Sequence, residues 1–136
     1  MSRKTWAKPA AVSIVLGLMA SSGIATTRDS TQLASDFATC AGRMAAVIEH
    51  GDTLGMGPAQ VAAHHAVFSD LLDAVTPDAA LAGLDAHALR EAERAAKFGQ
   101  WVLLQTAAYT FDARQARAAT SMARRNIAMC EMMLLS

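Results

Sequence analysis

The first 25 residues constrain this chain most, because they have the composition of an export signal. Arg3, Lys4 and Lys8 form a basic start, residues 9–25 carry no charge, and small residues lie at the positions that a signal peptidase reads before a cut after Ala25. The sequence therefore predicts a leader that directs the chain out of the cytoplasm and is then removed.

The predicted domain organisation follows from that cut. Residues 1–25 are the signal peptide, and removing 25 residues from 136 leaves 111, residues 26–136, which is the length of one domain with a single modest core. We expect this domain to be periplasmic or secreted. The alternative is an uncleaved leader, which would leave the protein anchored in the inner membrane, facing the periplasm, as an accessory subunit.

Composition and periodicity predict an all-α fold. Hydrophobic residues make up 53% of the chain, many of them alanine, and aromatic residues only 5%, which favours helices over strands. Apolar residues recur at helical spacing in four segments, predicted at about Thr31–His50, Pro58–Val75, Ala86–Thr110 and Ala113–Leu134. Short connections between them predict an antiparallel four-helix bundle after the N-terminal signal segment.

The predicted helix ends rest on capping residues and breakers. Ser30 or Thr31 is expected to cap the first helix, and Asp85 and Asp112 the third and fourth. Pro77 is expected to end the second helix, because proline inside a helix lacks the N–H that the backbone pattern needs.

Each of the last two helices has a predicted inner face. That of the third consists mainly of small residues, which let a neighbouring helix come close: Ala88, Ala92, Ala95, Gly99, Val102, Thr106 and Tyr109. Trp101 and Leu103 are expected at its edges. The fourth helix has two adjacent stripes, and Asn126 within them needs hydrogen-bond partners if it is buried.

Two cysteines, Cys40 and Cys130, lie in the predicted mature domain. Since an exported chain folds in an oxidising compartment, an even number of cysteines predicts a disulfide, and only one intramolecular pairing exists. The first and fourth helices are neighbours in an antiparallel bundle, which permits the bond. The alternative is two buried free thiols.

The sequence predicts no cofactor and no catalytic residue, but several groups of side chains have an alternative interpretation as a site. Thioether and imidazole side chains suit copper(I) or haem iron, so a carrier of one of them is the alternative to core packing for a set of five residues: Met44, His64, His65, Met122 and Met129. His87 and Glu91 have the spacing of two metal ligands and equally of a surface ion pair. Glu49, His50 and Asp52 form either a proton-transfer cluster or a solvated patch.

The charge balance bears on partners. The mature domain has nine basic and twelve acidic residues, a net charge of about −3 with neutral histidines, which gives no global reason to bind nucleic acid or an anionic membrane. Four arginines give the fourth helix a basic outer side: Arg114, Arg117, Arg124 and Arg125. We interpret it as a solvated face, with an anionic lipid headgroup or an acidic protein patch as the alternative. The expected partner is a protein of the cell envelope, and a membrane only if the leader is uncleaved.

The segment Ala38–Arg43, with the letters ATCAGR, and Cys130 near the terminus resemble short exported helical proteins of alphaproteobacteria that share a C-A-G-R helix near the mature start and a second cysteine near the end. That resemblance implies the helical fold and the Cys40–Cys130 disulfide and transfers no activity. Gly42 within it predicts a close helix contact, since glycine in a helix costs about 1 kcal/mol. The function that the sequence favours is a non-catalytic interaction or structural role in the envelope.

Overall fold

The computed structural model describes residues 29–51 and 53–136, and the predicted signal peptide, residues 1–25, lies outside them. The described residues form four α-helices and no strand: α1 Ser30–His50, α2 Pro58–Leu81, α3 Ala86–Tyr109 and α4 Ala113–Leu134. The all-α, four-helix prediction is thereby confirmed.

Aspartates begin three of the helices. Asp85 accepts a hydrogen bond from the Ala88 backbone N–H at 2.9 Å, and this bond holds the pKa of the carboxyl below its usual value. Asp112 caps α4 by accepting a hydrogen bond from the Arg114 backbone N–H at 2.8 Å. The first helix is capped by Asp29, one residue before the predicted Ser30, because the Asp29 carboxylate accepts from both the hydroxyl and the backbone N–H of Thr31.

Helix α2 continues through Pro77, so the predicted end at Val75 is wrong. The Thr76 hydroxyl donates to the Leu72 carbonyl oxygen at 2.6 Å in the turn that Pro77 disturbs. Beyond the proline, Ala79 is completely buried against α1. Packing in this last turn therefore outweighs the local cost of the proline.

Helix α1 lies at the centre of the bundle, between α2 and α3. It runs antiparallel to α2, because Phe37 in its first half packs on Phe68 in the middle of α2, whereas Val47 near its end lies close to Val61 near the start of α2. It runs parallel to α3 and makes its most extensive contacts there. Helix α4 packs mainly on α3 and meets α1 only over a short stretch.

The close pair is therefore α1 and α3. In a square up-and-down bundle these two helices would lie across the diagonal, and Gly42 explains how they come close here. A Cβ atom on Gly42 would overlap the carbonyl oxygen of Glu93 and press on the backbone nitrogen of Lys97. Ala38 and Ala46 on α1 are also fully buried. The close contact predicted at Gly42 is confirmed, and it joins two helix backbones almost directly.

The predicted inner face of α3 is wrong. Its buried residues are Leu89, Gln100 and Leu104, whereas Ala95 and Gly99, which we expected inside, are exposed. The true inner face is a different side of the helix, rotated by roughly 130° from the predicted one. In α4, the stripe containing Ala123, Ile127 and Cys130 is buried, and the neighbouring methionine stripe is partly in solvent.

A buried amide pair joins α3 and α4. The Gln100 side chain, which is 1% exposed, donates to the Ala123 carbonyl oxygen at 3.2 Å and accepts from the Asn126 Nδ2 at 3.0 Å. Asn126 thus has the partner that its predicted burial required. The pair fixes the register of the two helices, so that residue 100 lies level with residues 123–126.

Candidate functional site

A disulfide joins Cys40 on α1 to Cys130 on α4, with their Cα atoms 5.6 Å apart. The pairing is the one predicted from the sequence. Both residues are almost fully buried, and the Met133 thioether packs 3.9 Å from the Cys40 sulfur. Because the sulfurs are shielded from attack by an outside thiol, the bond is suited to holding α4 on the bundle rather than to thiol exchange.

An open pocket of about 400 Å³ lies beside the disulfide, between the outer sides of α1 and α4. Arg43 extends into it and donates hydrogen bonds to the Asn126 carbonyl oxygen at 3.4 Å and weakly to the Cys130 sulfur at 4.0 Å. Burial lowers the pKa of the Arg43 guanidinium below its usual value. Three methionines of α4 also line the pocket: Met129, Met132 and Met133.

The residues weighed as metal ligands do not share one environment. Met44 is completely buried in the core, whereas Met122 and Met129 are 44% and 43% exposed on α4. His64 lies 3.6 Å from the Glu131 carboxylate and His65 is half-buried on α2. Among the described residues, no three His, Cys, Asp or Glu side chains form a group that could hold a metal ion.

The two acid–histidine clusters are also dispersed. Glu49 forms an ion pair with Lys97 of α3 and not with His50. The His50 ring packs against Tyr109, with ring centroids 6.3 Å apart, and neither of its nitrogens has a hydrogen-bond partner in the described part of the chain. Asp52 lies outside the described residues. Glu91 pairs with Arg94, so it does not act together with exposed His87.

The largest unexpected feature is an aromatic surface. Six aromatic residues follow the leader, and only Phe37 and Phe68 pack inside the bundle. The other four lie on the outer side of α3 and in the turn after it, and with Val102 they form what we call the aromatic ridge: Phe98, Trp101, Val102, Tyr109 and Phe111. Tyr109 is 70% exposed and Phe111 fully exposed. Apolar side chains in such a row are typical of a binding surface.

A groove of about 390 Å³ runs along the α1 side of the ridge. The rings of Phe98 and Trp101 stack nearly parallel on it, with centroids 6.5 Å apart and an interplanar angle of 19°. Lys97 and Glu49 close the groove as an ion pair between α3 and α1. The stacked rings are held on a rigid helix, so a partner would meet a preformed apolar surface.

Sequence reasoning missed this ridge because it assigned Tyr109 and Val102 to the inner face. A usable signal was present: Leu89 and Leu104 define a second apolar stripe on α3, separate from the aromatic one. Helix α3 packs on its neighbours through the side that carries Leu89 and Leu104, so its second apolar stripe is left in solvent.

The second surface feature is the arginine row on α4, formed by Arg114, Arg117, Arg124 and Arg125. All four are exposed, and none forms an ion pair with another described residue. No acidic residue occurs between positions 113 and 130. The outer side of α4 therefore carries four positive charges, in two pairs, with no acidic residue of the same helix between them.

Charge is unevenly divided between the two halves of the bundle. Residues 29–85, which contain α1 and α2, have eight acidic side chains and one basic one, Arg43. Residues 86–136, which contain α3 and α4, have seven basic and four acidic side chains. The small net charge of the domain hides this separation.

Comparisons of the chain with protein-family models, with curated proteins and with solved structures found no match. Across residues 29–51 and 53–136, no helix combines the length and the apolar character that crossing a bilayer requires.

Proposed function

We propose that this protein is exported, loses residues 1–25, and acts outside the cytoplasm as a non-catalytic helical binding protein. The observation that carries the proposal is the exposure of four aromatic side chains on one side of α3 and its following turn. A small domain with few large apolar residues gains stability by burying them, so their position in solvent favours a role in contact with a partner.

The proposed location is supported by the disulfide and by the leader. A buried bond that joins residues 90 positions apart is expected to form and persist in an oxidising compartment such as the periplasm. The resemblance to exported alphaproteobacterial proteins argues in the same direction, because its two distinctive residues have structural roles: Cys40 in the disulfide and Gly42 at the α1–α3 contact.

The location is tested by fractionating cells that produce the full chain and sequencing its N-terminus. We expect the extracytoplasmic fraction to contain a chain that begins at Thr26 and has no thiol that reacts after denaturation without reductant. A full-length chain in the membrane fraction would favour the anchored accessory subunit instead. A full-length cytosolic chain with two reactive thiols would contradict export.

The binding role is tested against the carrier alternative. The purified protein is incubated with copper(I) or with haem and passed through a desalting column. We expect neither copper nor a Soret band to be retained, because the candidate ligands Met44 and Met122 lie in different environments. Stoichiometric retention that is lost in Met129→Leu, but kept in Met56→Leu in the loop before α2, would replace the binding role by a carrier role.

A further inference from the structure

A stripe of exposed side chains runs along α3 on the side opposite its buried residues. Helix α3 packs on its neighbours through Leu89, Gln100 and Leu104. At about 100° per residue, five exposed residues lie within about 60° of one another on the other side, and we call them the α3 seam: Glu91, Ala95, Phe98, Val102 and Tyr109. Their separations of four, three, four and seven residues are those of a coiled-coil contact. The free side of α3 therefore has the pattern by which one helix packs along another.

The charges at the seam and beside it are compensated within the molecule. Glu91 forms an ion pair with Arg94, and Lys97 forms one with Glu49. A strongly charged partner would therefore gain little at this surface. Burial of the aromatic and aliphatic side chains is favourable instead, so the seam is suited to an apolar helix of similar length.

A second copy of the seam supplies that helix when the two run antiparallel. An arrangement centred near residue 100 sets Phe98 against Val102 of the second copy, so that a large side chain faces a smaller one. It also sets Glu91 beside the second copy's Tyr109, whose hydroxyl can donate a hydrogen bond to the carboxylate. Exposed Ala95 lets the two backbones come close. In a parallel arrangement the two Glu91 side chains would meet, and like charges repel.

The exposed apolar area is sufficient for a weak dimer. A fully exposed aromatic side chain presents on the order of 200 Å², so the exposed fractions of the four ridge aromatics and Val102 amount to about 600 Å² per copy. Covering this area on both copies would remove about 1,200 Å² from water, which is the lower end of the range for specific interfaces. We therefore expect a dissociation constant on the order of 10 µM.

We propose that the protein forms a two-fold symmetric dimer in which the α3 seams of two copies pack antiparallel, with the two Trp101 side chains at the border of the contact. The inference rests on the proposed function, because it names a second copy as the partner of the aromatic ridge. It does not depend on export, so the purified full-length chain tests it separately. A monomer that binds a different protein through the ridge would overturn the dimer and leave the proposed binding role standing.

The first test is sedimentation equilibrium of the full-length chain between about 1 and about 500 µM, a range that spans the expected dissociation constant. Val102→Glu is expected to weaken the dimer at least a hundredfold, because each dimer would then bury two carboxylates against aromatic rings. Val67→Glu on α2 is the matched control and should leave the dimer unchanged, since the two valines are 42% and 40% exposed. Every variant has the same N-terminus, so residues 1–25 contribute equally to all of them.

Cross-linking tests the orientation of the two helices. Glu91→Cys and Tyr109→Cys are oxidised under mild conditions, each alone and as a mixture, and separated on a non-reducing gel. We expect a cross-linked dimer in the mixture only, because the antiparallel seam sets residue 91 beside residue 109 of the second copy. Two copies of either residue would lie about 27 Å apart along the helices, too far for a disulfide.

Fluorescence reports on the border of the contact. In Trp6→Phe, Trp101 is the remaining tryptophan of the chain, and its emission should shift to shorter wavelength as the protein concentration rises through the dissociation constant. The proposal is overturned if the wild type stays monomeric at about 500 µM, if Val102→Glu associates as strongly as Val67→Glu, or if each cysteine variant cross-links by itself. It is also overturned if the Trp101 emission shifts only when lipid vesicles or a different protein are added.

Discussion

Helices α1 and α3 are both rich in alanine and pack against each other, yet they use their small residues in opposite ways. Eight of the 21 residues of α1 are buried, among them Ala38 and Gly42 at the closest contact of the fold. Only three of the 24 residues of α3 are buried, and its Ala95 and Gly99 face solvent. Small residues at helical spacing show that a neighbour can come close, but not which of two such helices receives it.

The same pair differs in where it places large apolar groups. Helix α1 directs Met44 and Val47 into the main core, whereas α3 keeps Phe98 and Trp101 outside. Helix α1 thus supplies side chains to the core, whereas α3 packs on α1 with one side and presents its aromatic side chains to solvent with the other. Substitutions should separate these roles: those on α1 should change the free energy of unfolding, and those on the outer side of α3 should change binding instead.

Removing the disulfide is expected to have the largest effect. The double variant Cys40→Ser, Cys130→Ser should lose up to about 4 kcal/mol of unfolding free energy, because the bond closes a long loop in the unfolded chain. Urea unfolding followed by circular dichroism measures the loss. Reductant should lower the midpoint of the wild type and leave that of the double variant unchanged. Since α4 also packs on α3, we expect the variant to remain helical, and an unchanged midpoint would show that the bond is not formed in the native protein.

Gly42 and Gly99 offer the most direct comparison between the two helices. Gly42→Ala should destabilise the protein by about 3 kcal/mol, because the new Cβ meets the Glu93 backbone, which is not free to move aside. Gly99→Ala should stabilise it by about 0.5–1 kcal/mol, since that Cβ meets nothing within 4 Å and alanine favours the helix. Thermal and urea unfolding measure both. Equal effects of the two substitutions would contradict the assignment of α1 as the closely packed helix.

The buried amide of α3 is expected to have a smaller effect. Gln100→Ala should cost about 2 kcal/mol, because it leaves the Asn126 amide without its partner and opens a small cavity. Gln105→Ala, half-buried one turn further along the same helix, is the control and should change stability by less than about 0.5 kcal/mol. If the double variant Gln100→Ala, Asn126→Ala is no less stable than Gln100→Ala alone, the two amides act as one unit.

The sequence predicted local features of the fold better than the contacts between helices. The spacing of apolar residues located all four helices, and Asp85 and Asp112 marked two starts correctly, because capping is a local interaction. The path through Pro77 was missed because Ala79 is held by α1, which is remote in sequence. The disulfide was predictable because only two cysteines exist.

The candidate surface was not predictable from the sequence, because it depends on which sides of the helices are covered by their neighbours. Periodicity led to one predicted inner face for α3, whereas the contact of Gly42 with the Glu93 backbone and the hydrogen bond from Gln100 to α4 put a different face inside. The sequence identified the arginines of α4, whereas the net charge of about −3 concealed the separation of charge between the two halves of the bundle. Properties that depend on which helices are neighbours are set by tertiary packing, and a single helix does not specify them.

The smallest predicted effect concerns the caps at the starts of α1 and α3. The pKa of the Asp85 carboxyl is lowered below its usual 3.8 by its hydrogen bond from the Ala88 N–H, and that of Asp29 by its bonds from Thr31. A lowered folded-state pKa means that the stabilisation is present above the unfolded value and is lost as the pH falls through the folded value. Asp85→Ala should therefore lower the Tm at pH 7, and its difference from the wild type should shrink at pH values below about 3.8. Asp85→Asn keeps a capping side chain that does not titrate, so its Tm should not share this acid-dependent loss. If the Tm values of wild type and Asp85→Ala, plotted against pH, stay parallel down to pH ~2, the ionised carboxylate does not stabilise α3.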